Sequence, residues 1–143
     1  MAKVEFSGID QLELSFAEVA KLPDEVVDAM LDARADVVVA AQRESAQKML
    51  VGPYVTGETA RSIKKNKPKL RDGHRVVYVT PTGSRKRGRA KAVRNAEIAY
   101  ENEYGKKGVP ARNFIRTANE LCADAATAAE FEVYSRYLEE KGL

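Results

Sequence analysis

The sequence contains little of the chemistry on which disulfides and metal sites depend. It has one cysteine, Cys122, one histidine, His74, and no tryptophan. A single cysteine excludes an intramolecular disulfide, and one cysteine with one histidine does not supply the usual zinc ligand set. No apolar run approaches the roughly 18 residues that a membrane-spanning helix requires. We therefore expect no metal, no cofactor and no membrane span.

Candidate catalytic groups are equally sparse. Nucleophilic catalysis needs a nucleophile and a base within hydrogen-bonding reach. His74 lies in a polar segment between two predicted strands, and Cys122 lies on a stripe of small residues in a predicted helix. A cysteine in that setting behaves as a small apolar residue, and paired acids such as Glu101 and Glu103 are typical of solvated surfaces. The sequence therefore predicts that the protein is not an enzyme and has no catalytic residues.

Negative charge is almost missing from one long stretch. Residues 61–94 carry thirteen cations and one acid, a net of +12, whereas residues 1–50 carry −5 and residues 95–143 carry −3. Charge blocks of opposite sign indicate electrostatic partners. The composition leaves open whether the partner is nucleic acid, another protein or a sister subunit.

A basic loop, residues 81–92, contains the densest part of this charge. Its residues are too polar to join a core, so we predict a mobile loop. It lacks the aromatic residues that stack on bases and the Lys-Ser/Thr pair of a phosphate-binding loop. Three interpretations remain: a solvated loop, a loop that orders on an acidic protein surface, or a phosphate contact. Its candidate partner contacts are Arg85, Lys86, Arg87, Arg89 and Lys91.

A stripe of acids is the second candidate contact. Asp28, Asp32 and Asp36 follow each other at steps of four in a predicted helix over residues 24–50. Like charges at this spacing are mildly unfavourable. The stripe is therefore either a solvated face or a subunit contact that meets cations, such as those of the basic loop in the next subunit.

The remaining pattern predicts one α+β domain over residues 1–143. The long helix over 24–50 and a terminal helix over 113–141 are the main elements. Two strands, one from Ile63 to Lys67 and one over 75–80, are expected to pair around a loop at 68–74. The other predicted elements are a strand at 3–6, a helix at 10–21, and a short helix at 93–104, for which an irregular strand is the alternative.

A hinge before the terminal helix is the most specific stretch. Gly105 permits a reversal of the chain, Pro110 favours extended backbone before it, and Asn113 is a good helix N-cap. Glu103 and Arg112 flank the hinge closely enough for their side chains to meet. We predict that these two residues form an ion pair that fixes the direction of the terminal helix.

Three motifs resemble those of the tail-completion proteins of long-tailed bacteriophages. Glu103-Tyr-Gly105, followed by Pro110-Ala-Arg-Asn-Phe-Ile-Arg116, resembles the family's E-F-G-T…M-P-A-R-P-F-L-R-P signature. Residues 6–12, FSGIDQL, are similar to F-x-G-L-D-E-L, and residues 53–63, PYVTGETARSI, are similar to P-V-D-T-G-x-L-x-x-S-I. The motifs stand in the family's order over about residues 4–120. The sequence departs from them at Val55, Thr59 and Asn113.

The resemblance implies an α+β fold in which a long helix packs on a small antiparallel sheet and a long C-terminal helix follows. It implies a structural head–tail joining (neck) protein of a bacteriophage or prophage, located in the virion after assembly in the bacterial cytoplasm. Such subunits form a homo-oligomeric ring with other neck and tail proteins, and DNA passes through without sequence-specific binding. The alternative, from charge alone, is a small nucleic-acid-binding protein that uses the cations of residues 61–94.

Overall fold

The computed structural model describes residues 22–52, 55–86 and 88–142 as a mixed helix and strand fold. Helix α1 covers Asp24–Met49, and the short helix α2 covers Glu58–Ser62. The strands are β1 (Ile63–Lys65), β2 (Lys69–Arg71), β3 (His74–Val76), β4 (Val79–Pro81), β5 (Ser84–Arg85) and β6 (Val93–Arg94). Helices α3 (Asn95–Tyr104) and α4 (Phe114–Glu140) follow.

These elements confirm the predicted α+β class and both long helices. The short helix expected at 93–104 is confirmed as well, although it begins at Asn95, after the two residues of β6. The strand expected at 3–6, the helix expected at 10–21 and the motif at 6–12 lie outside the described residues.

Helices α1 and α4 are antiparallel and meet along small side chains. Ser45 Oγ near the end of α1 donates to Phe114 O at the start of α4 at 2.7 Å, and Arg34 Nη1 lies 2.8 Å from Glu130 Oε2 nearer the opposite ends. The buried residues of this contact are Ala35, Gln42, Ser45, Ala46, Phe114, Ala118, Cys122 and Ala126. Small residues allow close approach of the two helix backbones, and the burial of Cys122 agrees with a packing role for it.

Strands β1 to β4 form one long hairpin. β1 pairs with β4, and β2 pairs with β3, both antiparallel. The predicted loop at 68–74 is wrong, because most of it belongs to strands and only two residues turn. These are Asp72 and Gly73, with φ of 51° and 79°, and positive φ at both central residues is the feature of the type I′ turn that Asp-Gly favours.

The hairpin contains a β-bulge near its middle. Asn66 N donates to Tyr78 O at 3.0 Å, whereas Lys69 is opposite Val76. Two residues, Lys67 and Pro68, therefore face the single residue Val77 of the other strand. Proline has no N–H to donate and is tolerated at such a position. The bulge explains why the strand predicted over 75–80 is interrupted.

The core lies where the end of α1, α2, β1, α3 and the start of α4 converge. Ile63 and Phe114 have no exposed surface, and Leu50, Ala60 and Ala99 pack with them. Full burial of a large apolar side chain contributes about 1.5–3 kcal/mol. This cluster fixes the positions of the chain segments from which the candidate site is built.

Candidate functional site

Glu103 holds the first turn of α4. Its Oε2 accepts from Ile115 N at 2.7 Å and its Oε1 accepts from Arg116 N at 2.9 Å. The first amide groups of a helix have no partner within the helix, and a carboxylate there is also favoured by the helix dipole. Because Glu103 is only 5% exposed, its hydrogen bonds tie the end of α3 to the start of α4.

The predicted capping by Asn113 is wrong. Asn113 has φ 49° and ψ 38°, in the left-handed region, and its side chain makes no capping hydrogen bond. A side-chain N-cap normally requires extended backbone at the capping residue. Asn tolerates the left-handed conformation better than most residues, so Asn113 serves the turn while Glu103 supplies the cap.

The predicted ion pair between Glu103 and Arg112 is also wrong. No such pair occurs among the described residues, since Glu103 is engaged with α4. Arg112 Nη1 instead lies 3.4 Å from Met49 O and 3.3 Å from Val51 O. Its positive charge at the C-terminal end of α1 is favoured by the dipole of that helix. The two side chains therefore hold two different helix ends.

Gly105 makes the reversal between these contacts possible. Its φ is 79° and its ψ is 167°, a conformation that is essentially restricted to glycine. A Cβ at this position would lie 2.8 Å from Ala111 N and 2.9 Å from Val109 O. Lys106 and Val109 exchange backbone hydrogen bonds in the turn that follows, and the exposed Pro110 comes directly after it.

The acidic stripe of α1 meets cations of its own chain. Lys65 Nζ lies 2.8 Å from Asp32 Oδ1 and 2.6 Å from Asp36 Oδ1. Arg75 Nε donates to Asp28 Oδ1 at 2.8 Å. These pairs fasten the hairpin to α1, so the cations that the stripe contacts here come from the hairpin rather than from residues 81–92.

The same contacts affect protonation. Hydrogen bonds from Lys65 to Asp32, and then to Asp36, raise the pKa of Lys65 above its ordinary 10.5. The hydrogen bond to Asp28 raises the pKa of Arg75. Both cations are therefore charged at neutral pH, as the pairing requires.

The basic loop divides into an anchored base and an exposed tip. β5 and β6 pair at its base, where Arg85 donates from Nε to Asn95 Oδ1 at 2.8 Å and from Nη2 to Thr59 Oγ1 at 2.7 Å. Arg85 is thus an internal contact, which the polarity of the loop did not predict. Lys86, Arg89 and Lys91 are exposed, and Arg87 lies outside the described residues.

A groove of about 450 Å³ opens beside α2. Leu50, Val51, Val55 and Ile98 supply apolar surface to it, and Arg85 and Arg112 lie on its wall. None of the described residues that line it is a carboxylate, a histidine or a cysteine. The described lining therefore offers no acid–base pair that resembles an active site.

The described residues contain no cluster of three or more histidine, cysteine or acidic side chains placed to hold a metal ion. None of their helices is long and apolar enough to cross a membrane.

Comparison with known proteins gives no match. No protein-family model, no curated protein and no solved structure is significantly similar to the chain.

Proposed function

We propose that the chain is a structural head–tail joining protein of a bacteriophage or prophage, assembled in the host cytoplasm and carried in the virion as a ring at the neck. The observation that carries this proposal is the structure of the helix junction, residues 103–116, which joins the end of α3 to the start of α4. Glu103, Gly105 and Arg112, three residues of the motif that resembles tail-completion proteins, lie in this junction. Glu103 and Arg112 bind backbone groups at helix ends, and Gly105 permits the chain reversal between them.

The second motif supports the same interpretation. Gly57 has φ 78° and precedes α2, Ser62 Oγ donates to Thr59 O at 2.7 Å, and Ile63 is fully buried. Residues that turn the chain, satisfy backbone groups and fill the core act through the fold rather than through a reactive group. The motif therefore fits a mechanical part of an assembly, and no catalytic step is proposed.

The experiment is deletion of the gene from the phage or prophage that encodes it. We expect lysates in which filled heads and complete tails accumulate separately, as seen by negative-stain electron microscopy. Supplying the wild-type gene from a plasmid should restore joined virions, and an empty plasmid is the matched control. Intact virions in the deletion strain would overturn the proposal.

Nucleic-acid binding is a second candidate, favoured by one specific observation. Lys64, Lys67, Lys69 and Arg71 are all exposed on the hairpin. If they bind duplex DNA, affinity should fall steeply with salt, with a slope of about −0.9 per neutralised phosphate. Fluorescence anisotropy with an unrelated duplex across salt concentrations measures this slope. A weak, salt-insensitive signal would remove this candidate.

A further inference from the structure

The cations of the hairpin lie on two different faces. Successive residues of a strand point to opposite sides, and on the inner side Lys65 and Arg75 bind the acids of α1. We call the opposite side the outer hairpin face, formed by Lys64, Lys69, Arg71, Tyr78 and Thr80. Among the described residues, Lys64 and Lys69 take part in no salt bridge, and Arg71 lies 4.0 Å from Asp72 where both are exposed.

This outer face combines charge with an aromatic ring. Lys69 Nζ lies 5.0 Å from the centroid of the Tyr78 ring, and Arg71 Cζ lies 5.6 Å from it. Arg71 Nη1 also donates to the Tyr78 hydroxyl. Cation–π contacts of this kind hold long side chains in place, so less conformational entropy is lost when a partner binds them.

Helix α4 presents a face of the opposite sign. α4 contains six acids and two cations, a net of −4. The side of α4 turned away from α1, the outer α4 face, carries Glu120, Asp124, Thr127 and Phe131 at spacings of four, three and four, and all are exposed. Phe131 is 63% exposed, so this acidic face also carries one large apolar side chain.

Helix α1 lies between these two faces. Asp28, Asp32 and Asp36 of α1 bind the hairpin, whereas Arg34 and Gln42 of α1 bind α4. At 3.6 residues per turn these two sets lie on different sides of the helix. The outer hairpin face and the outer α4 face are therefore separate patches of one chain, which a single subunit does not bring together.

We infer that the outer hairpin face of one copy docks on the outer α4 face of the next copy. This inference rests on the proposed function and names the subunit contact of the ring. A contact between two different patches is heterologous, and its repetition closes into a ring or extends into a filament. The partner is a second copy because the chain itself supplies both the cationic and the acidic surface, with the Tyr78 ring on the first and the exposed Phe131 on the second.

This contact between the outer hairpin face and the outer α4 face differs from the subunit contact suggested by the sequence, in which the basic loop met the α1 stripe. The α1 stripe is engaged by Lys65 and Arg75 of the same chain, so docking a basic loop on it would require those bonds to break or be shared. Asp124 forms no salt bridge among the described residues, and Glu120 pairs only with Arg116 of its own helix at 3.2 Å, where both are exposed. Such exposed i,i+4 pairs are weak, which leaves these acids available to a neighbour.

A zero-length crosslinker that joins amines to carboxylates tests the contact directly. Wild-type protein with ¹⁴N and protein with ¹⁵N are mixed at high concentration, crosslinked and digested. Mass spectrometry then identifies links between chains by their mixed isotope pattern. We expect interchain links from Lys64 or Lys69 to Glu120 or Asp124. Interchain links that come mainly from Lys86 or Lys91 would overturn the inference. The absence of any interchain link would overturn it as well.

Charge exchange supplies the second arm of the test. A hairpin variant carries Lys64→Glu and Lys69→Glu, and an α4 variant carries Glu120→Lys and Asp124→Lys. Each variant alone should lower the yield of interchain crosslinks at any site about tenfold, which corresponds to a change of about 1.4 kcal/mol. All four substitutions in one chain should restore the yield.

Mixing the two variants should restore the yield as well, because each altered face then meets a complementary face.

A loop variant with Lys86→Glu and Arg89→Glu is the matched control, since it changes the net charge by the same amount as the hairpin variant. Its yield should equal that of the wild type, and circular dichroism melting should show that every variant is folded. The inference would be contradicted if the control lost as much crosslinking as the hairpin variant. It would also be contradicted if the four-site variant folded but its crosslinking yield stayed low.

Loss of duplex DNA binding in the hairpin variant, with crosslinking unchanged, would assign the face to nucleic acid instead.

The deletion experiment keeps the two proposals separate. Unjoined heads and tails in the deletion strain, together with unchanged crosslinking in the hairpin and α4 variants, would support the proposed function and remove this subunit contact. Intact virions in the deletion strain, together with restored crosslinking in the four-site variant, would support the contact and remove the neck role.

Discussion

The helix junction and the hairpin both depend on charged side chains, but in different surroundings. At the junction Glu103 is buried and binds backbone amides. On the hairpin the side chains of Lys65 and Asp32 are 30% and 45% exposed and bind each other. Charge-assisted bonds to buried backbone are strong, whereas exposed ion pairs contribute about 0–1 kcal/mol. The junction therefore sets the course of the chain, and the ion pairs mainly set which hairpin face points outward.

The largest expected effect is at Gly105. In Gly105→Ala the new Cβ would meet backbone atoms at 2.8 and 2.9 Å in a conformation that only glycine adopts readily. We expect the free energy of unfolding to fall by about 3–5 kcal/mol, measured by urea denaturation. Gly108→Ala is the matched control, because Gly108 has φ 82° with open space around it. Equal losses at the two positions would contradict the close approach at Gly105.

Removing the cap of α4 should have the next largest effect. Glu103→Ala leaves two amides of the first turn without their partner in a buried site, and we expect a loss of about 2–4 kcal/mol in the free energy of unfolding. The control is Glu101→Ala, which removes only the surface pair with Lys106 at 2.7 Å. That change should be below about 1 kcal/mol. Similar urea midpoints for the two variants would show that Glu103 is not the cap.

The two hairpin faces should respond differently to loss of one charge. Lys65→Gln breaks two salt bridges to α1 and should lower stability by about 1 kcal/mol. Lys64→Gln, one residue away on the outer face, should change stability by less than about 0.5 kcal/mol. Thermal melting at low and high salt measures both variants, and only the first should lose salt sensitivity. A larger loss in Lys64→Gln would reverse the assignment of faces.

The smallest effect concerns pH. Because the folded pKa of Lys65 is raised above 10.5, the ion pairs stabilise the fold fully below that pH. Their contribution is lost as the pH rises through the folded pKa. The gap in melting temperature between the wild type and Lys65→Gln should therefore be constant from pH 7 to about 9 and close as the pH rises past 10.5 through the raised pKa. A constant gap across this whole range would mean that the difference between them does not come from charge.

Local signals in the sequence were enough for the long elements and for one of the turns. The pattern over residues 24–50 predicted α1, and the hinge predicted the start of α4. Gly105 was expected at a reversal, and its φ is positive. The turn at Asp72-Gly73 was missed, although Asp-Gly between two β-type segments is the usual sequence for a type I′ turn.

The contacts made by the charged side chains could not be predicted from such local signals. Glu103 and Arg112 lie close in sequence, but each contacts a helix end that only folding brings near. Likewise, the stripe at Asp28, Asp32 and Asp36 was visible, but its pairing with Lys65 and Arg75 depends on which hairpin face packs on α1. That face is set by the register and by the bulge at Pro68, which are tertiary properties.

The small-residue contact between α1 and α4 gives the protein a built-in chemical probe. Cys122, the only cysteine in the sequence, is 7% exposed on that contact. A thiol reagent reaches it only when the helices separate, so the labelling rate reports the free energy of that opening. The wild-type chain can therefore be followed during assembly without an added label. Protection of Cys122 that rises with protein concentration would measure how far self-association holds the helix pair closed.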